Sequence, residues 1–169
     1  RCSPSTPTVG KIFLTPHIGC FELSAKVFSS IAPITVIYKP PRREDLHRLL
    51  LQVRARPGLT LVSADATGVR ALFKALKRGE AVGILPDQVP TLGEGVWAPF
   101  FGRPAFTMTL ASRLAERCGA QVFMLATWRK PRSAGWVIDA TRISDAATPE
   151  RINREVESLV RTDPKQYYW

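Results

Sequence analysis

Histidine and cysteine are scarce in this chain of 169 residues, which has two of the first and three of the second. Cys2, Cys20 and Cys118 are odd in number and far apart, so they match neither a zinc-ligand spacing nor a disulfide framework. With only His17 and His47 to add, no protein metal site is expected, and a reducing compartment fits the thiols best. No apolar run reaches the ~18 residues of a membrane-spanning helix. No secretory leader pattern, internal repeat or low-complexity tract is present. Acidic side chains are also few, 14 Asp and Glu against 24 Lys and Arg, for a formal net charge of +10.

That excess favours an anionic partner, whether phospholipid surface, phosphorylated substrate, acidic protein or nucleic acid. It is concentrated between Lys39 and Arg78, where ten basic residues face three acidic ones, a local balance of +7. A solvated basic helix face would give the same count. The apolar fraction, 45%, is ordinary for a globular domain of this length.

Short apolar runs alternate with amphipathic segments. Residues 1–9 are rich in Ser, Thr and Pro and read as irregular. Strands are predicted at Lys11–Pro16, Ile34–Tyr38, Leu59–Ser63, Ala81–Leu85, Gln121–Trp128 and Trp136–Ile143, the last two joined by Lys130–Gly135. Helices are predicted at Phe21–Ile31, roughly 43–55 with a Leu46, Leu49, Leu50, Val53 stripe, Val69–Leu76 capped near Asp65 or Thr67, Phe106–Arg117 and Pro149–Arg161. Pro86–Pro104 reads as a long Gly/Pro loop, a length that suggests function. The pattern gives one α/β domain over residues 1–169, with a mixed, largely parallel sheet flanked by helices and an antiparallel final strand pair.

The chemistry concentrates in Thr15-Pro16-His17-Ile18-Gly19-Cys20-Phe21-Glu22. His17 follows a strand and Glu22 opens a helix, with Gly19 to turn the chain between them. From the first helical turn, Glu22 can point back at the imidazole. A neutral imidazole removes a proton from an attacking hydroxyl, and a carboxylate on its other nitrogen fixes the tautomer and stabilises the imidazolium. A structural histidine beside a helix-start glutamate is the competing reading. Cys20 reads as a packing residue and His47 as a surface residue.

Three further stretches complete a pattern: Leu85-Pro86-Asp87-Gln88, then Gly95-Val96-Trp97-Ala98-Pro99-Phe100-Phe101-Gly102-Arg103-Pro104-Ala105, then Pro164-Lys165-Gln166-Tyr167-Tyr168-Trp169. Together with the His17 segment they resemble the late, lauroyl/myristoyl-type acyltransferases of lipid A biosynthesis, within the lysophospholipid-acyltransferase-like superfamily. The resemblance runs from about Gly10 to Trp169. It implies a glycerol-phosphate-acyltransferase-like fold and transfer of a fatty acyl chain from acyl–acyl carrier protein to a hydroxyl of a lipid A precursor. It implies His17 as base, Glu22 as its partner, and no cofactor beyond the donor. Candidate substrate-binding residues are Lys39, Arg70, Asp87, Gln88 and Arg103. Lys39 stands where the family has arginine in a Tyr-Arg-Pro motif, and Asp87 either contacts substrate or holds the site together. Trp97, Phe100, Phe101 and Phe106, with Met108, are candidates for an acyl slot. The resemblance also implies the cytoplasmic face of a bacterial inner membrane, with an anionic membrane surface as partner and no nucleic acid. An N-terminal membrane anchor and a basic C-terminal end belong to the family's pattern and are expected outside these residues.

Two other readings compete. Acylation of a lysophospholipid or glycerol phosphate stays within the enzyme class; a basic membrane- or nucleic-acid-binding module leaves it and gives His17 and Glu22 no joint task.

Overall fold

The computed structural model describes residues 9–168. The predicted irregular stretch 1–9 therefore lies outside the described residues except for Val9, as do Cys2 and Trp169. Thirteen principal elements follow one another: β1 (Lys11–Leu14), α1 (Phe21–Ser29), β2 (Ile34–Tyr38), α2 (Glu44–Arg54), β3 (Leu59–Ser63), α3 (Ala66–Lys77), β4 (Ala81–Ile84), β5 (Gly95–Phe100), β6 (Arg103–Met108), α4 (Leu110–Cys118), β7 (Gln121–Arg129), β8 (Trp136–Ile143) and α5 (Pro149–Thr162). Six strands form one sheet in the order β3-β2-β4-β1-β7-β8; β5 and β6 form a separate hairpin. All neighbours in the large sheet are parallel except β7 and β8, which run antiparallel. The fold is thus the mixed, largely parallel α/β class expected from the alternation.

Successive side chains of a strand point to opposite faces, and the two faces bury different partners. Ile12, Leu14, Val82, Ile84, Val122 and Met124 belong to the larger core with Leu72 and Leu76 of α3, Leu114 of α4 and Val156 of α5. Phe13, Ala81 and Leu125 point the other way and pack with Ile34, Phe28 of α1 and Phe123. Covered on both faces, β1 after Lys11 and all of β4 read as apolar runs, IFL and AVGI, as buried parallel strands do.

The predicted loop at Pro86–Pro104 is corrected over its second half by the β5–β6 hairpin. Its turn is the pair Phe101-Gly102, with φ of 48° and 74°, both left-handed as a two-residue primed turn requires. Phe101 is held there by its amide donating to Glu157 Oε1 (2.7 Å) and by Arg161 lying 5.0 Å over its ring. Counting outward, Phe100 and Arg103 form a hydrogen-bonded pair, so Pro99 and Pro104 fall opposite each other at the next, non-hydrogen-bonded position. Two prolines that seem to forbid a strand therefore remove no ladder bond. Asn153 of α5 anchors the hairpin from behind, donating to the Pro99 carbonyl (3.0 Å) and to Thr107 Oγ1 (2.8 Å). The same correction shortens the predicted helix at Phe106: Phe106–Met108 are strand and α4 begins at Leu110.

α3 begins at Ala66, earlier than predicted, because Asp65 caps it by accepting from the Thr67 and Gly68 amides. α2 has its apolar stripe but no buried residue, and Leu46, Leu49 and Val53 are each at least half exposed. Among the described residues no helix is long and apolar enough to cross a membrane.

Candidate active site

Leu14 and Ile84 are register partners at the carboxyl ends of β1 and β4. His17 and Asp87 each lie three residues further on, so two parallel strands in register deliver them side by side at the sheet edge where open α/β folds bind ligands. The Thr15 amide donates to the Ile84 carbonyl (2.9 Å) and extends the pairing beyond the strands. Asp87 then takes two bonds from one residue: Oδ2 accepts from the His17 amide and Oδ1 contacts Nδ1, both at 2.8 Å. The carboxylate side chain is 5% exposed and the imidazole 18%. Phe21 packs edge-on to the ring with centroids 4.7 Å apart, and Gln88 Nε2 lies 3.5 Å from His17 Nε2.

This corrects the expected His17–Glu22 pair. Glu22 sits in the first turn of α1 as predicted, but its carboxylate is taken by Arg54 of α2, through Nε (3.0 Å) and through a terminal guanidinium nitrogen. The physical reason is register. The chain turns at Gly19 (φ 55°) and α1 starts at Phe21, so Phe21 meets the imidazole and Glu22 faces the neighbouring helix. Gly19 has no room for a side chain, since a Cβ there would lie 2.0 Å from the Thr127 carbonyl oxygen. His47, read as a surface residue, is partly exposed on α2 and shares a hydrogen bond of 2.7 Å with the Tyr38 hydroxyl.

His17, Glu22 and Gln88 line a cavity of about 980 Å³. On the α1 side its walls include Phe13, Phe28, Ile34, Val36, Leu59 and Leu61. Lys39 and Arg70 line it, joined by Lys74, Arg113 and Arg117 from α3 and α4. In all, seven Lys and Arg side chains border it against three carboxylates, a balance suited to an anionic ligand.

Other expected site residues lie elsewhere. Arg103 is exposed beside the hairpin turn. Trp97 stacks on Phe106 across the hairpin (5.5 Å), with its own surface 71% exposed. Phe100 and Phe101 meet edge to face (4.9 Å) and pack against the larger core. None of these five lines the cavity; of the proposed slot residues only Met108 does. The acyl-slot expectation fails for the four aromatics because the segment is a hairpin held on α5, not a loop draped over the sheet edge.

A further segment bears on the site. The Gly19 amide donates to the Gln166 carbonyl (2.7 Å), and the Tyr168 amide donates to the His17 carbonyl (2.8 Å). Between them Tyr167 forms an antiparallel bridge with Ile18. The Tyr167 phenol hydrogen-bonds the Asp87 carboxylate, and its pKa is pushed well above the ordinary tyrosine value by burial first, then by the charge and hydrogen bond of Asp87. The only sequence signal for this role is the terminal Gln-Tyr-x-Trp run.

A histidine backed by a buried carboxylate, opening on an apolar cavity rimmed with cations, is equipped for general-base chemistry on a lipophilic, anionic substrate. A family model for bacterial lipid A biosynthesis acyltransferases matches residues 8–169, and the chain belongs to that family. It is 27% identical over 168 residues to the lipid A biosynthesis lauroyltransferase of Escherichia coli K12, covering 95% of this chain and 54% of that protein. It is 25% identical over 167 residues to the palmitoleoyltransferase of the same organism, with the same coverage, and 25% identical over 166 residues to a lipid A biosynthesis acyltransferase of Haemophilus influenzae, covering 94% of this chain and 51% of that one. The chain thus spans about half the length of the curated relatives it matches.

Proposed function

We propose that this chain is the catalytic core of a late acyltransferase of lipid A biosynthesis, moving a fatty acyl chain from acyl–acyl carrier protein to a hydroxyl of a lipid A precursor. The observation that carries the reading is the His17–Asp87 pair at the mouth of the apolar cavity. With Nδ1 engaged by Asp87, Nε2 is the nitrogen left to take the proton of the acceptor hydroxyl. The hydroxyl oxygen attacks the thioester carbonyl, the acyl–sulfur bond breaks, and the imidazolium returns its proton to the departing thiolate. Asp87 stabilises that imidazolium and fixes the tautomer, as the carboxylate of a triad does.

The donor chain is assigned to the α1 side of the cavity. From Tyr38 to Ile34 the slot follows β2 for about 13 Å at the usual strand rise, floored by Phe13 and Phe28, whose rings stack at 4.4 Å. Lys39, Arg70 and Lys74 face the phosphorylated acceptor and the acidic carrier protein. The relatives' names pair one reaction with lauroyl and another with palmitoleoyl chains, as expected if slot depth varies within the family. The positive surface and the exposed stripe of α2 fit work at the cytoplasmic face of the inner membrane, against anionic lipid.

The test is acyl transfer by the purified protein from carrier-bound acyl chains to a lipid A precursor, read by mass spectrometry. His17→Ala should lower turnover by at least about 10³-fold while leaving the fold intact, since Nε2 has no substitute at neutral pH. Turnover on lysophospholipid in preference to the lipid A precursor would overturn the acceptor assignment. Activity of His17→Ala within a few-fold of wild type would overturn the base.

A further inference from the structure

The mechanism above uses Asp87 and leaves its surroundings unexplained. A carboxylate only 5% exposed must have its lone pairs met inside the protein. The His17 amide and Nδ1 meet part of that demand. The remaining donor is a phenol supplied from the far end of the described chain. Resting on the acyl-transfer reading, we infer that Tyr167 is a positioning residue for the reaction, acting through Asp87 to hold His17 Nε2 aimed into the cavity.

Backbone and side chain agree on this role. Residues 166–168 lie antiparallel along residues 17–19, so the His17 peptide is gripped at both ends: its amide by Asp87 Oδ2 and its carbonyl by the Tyr168 amide. The strip is itself anchored. Gln166 Oε1 accepts from the Arg129 amide (2.8 Å) at the end of β7, and Gln166 Nε2 donates to Asp163 Oδ2 (2.8 Å). Tyr167 therefore has little freedom to withdraw, and its ring packs against the larger core. Burial and the neighbouring carboxylate keep the phenol protonated, so it remains a donor to Asp87. A carboxylate held from two sides cannot rotate away from the imidazole. Supporting partners of this kind orient a catalytic histidine, and their loss lowers activity without touching the substrate.

Tyr167→Phe removes only the hydroxyl and keeps the packed ring. In the full-length protein kcat should fall roughly tenfold, as for loss of one hydrogen bond to a charged group, with KM for donor and acceptor unchanged. A double-mutant cycle then separates positioning from packing. In an Asp87→Asn background, Tyr167→Phe should change kcat by less than about twofold, because the group it acts through is already gone. Wild-type kcat for Tyr167→Phe, or an undiminished further loss on Asp87→Asn, would overturn the inference. A readout without turnover keeps it separate from the substrate assignment. The His17 Nδ1–H proton should be visible by NMR in the wild type and exchange faster with water in Tyr167→Phe, whatever acceptor the enzyme uses. Equal exchange in the two proteins would count against the phenol while leaving acyl transfer untouched.

Discussion

Asp87 and Glu22 both lie close to His17 in sequence or space, yet each side chain is held by a different partner. Asp87 is buried against His17, whereas Glu22 is 42% exposed on its side chain and bound to Arg54. Asp87→Asn keeps the shape but removes the charge that the imidazolium needs, so kcat should fall by about 10²–10⁴, as for triad carboxylates. Glu22→Gln frees Arg54 and leaves the His17 tautomer alone, so its effect on kcat should be at least about tenfold smaller. Measuring both with the same substrates decides between them; a larger loss for Glu22→Gln would return the catalytic partner to α1. His17 is legible as a candidate from sequence through the ordered motifs that accompany it, since its own segment equally fits a structural histidine. Asp87 is legible as a site residue but not as the partner of His17, because that pairing depends on Leu14 matching Ile84 across two strands separated by three helices. Nothing local in the sequence encodes that match.

At the level of elements, the slot and the hairpin make opposite demands on their phenylalanines. Phe28 lines the cavity, so Phe28→Ala should deepen the slot and shift preference toward longer acyl chains. Each added CH₂ contributes about 0.8 kcal/mol, making a two-carbon step worth roughly tenfold. Gly83 lines the same cavity opposite Phe13, and a Cβ there would lie 2.9 Å from Val36 Cγ2, so Gly83→Ala should shift preference toward shorter chains. Phe101→Ala removes a ring packed against the larger core and should instead lower stability, by up to about 3–5 kcal/mol for a core phenylalanine, with chain preference unchanged. Competition among carrier-bound chains of graded length checks all three; an unchanged ranking for Phe28→Ala and Gly83→Ala would place the ruler outside this cavity. The strands and helices of the large sheet follow readable periodicities. The hairpin does not, because Pro99, Gly102 and Pro104 are turn-forming by composition, and only their pairing position makes them compatible with a ladder.

Over the whole molecule, the α/β class follows from alternation, while the order β3-β2-β4-β1-β7-β8 does not, because crossovers and face packing set it. One global property returns to Tyr167. Its folded pKa is raised above the ordinary value of 10.0, first by burial and then by Asp87. The folded state therefore holds the phenolic proton more tightly than the unfolded chain does. Its contribution is fully present below pH 10 and is lost as pH rises further toward the folded value. Cys118, raised from 9.0 by burial, adds a loss in the same direction that begins earlier. Thermal unfolding followed into the alkaline range should fall less steeply for Tyr167→Phe than for wild type; parallel curves would contradict the assignment.

The strip that grips His17 also sets when the site can exist. Gly19 bonds to Gln166 and His17 to Tyr168, contacts that join nearly opposite ends of the described chain. Closing so long a loop carries an entropic cost, which assembly of the sheet between the two ends lowers by bringing them close. Under the proposed mechanism, His17 is aimed only once residues 17–19 and 166–168 have come together.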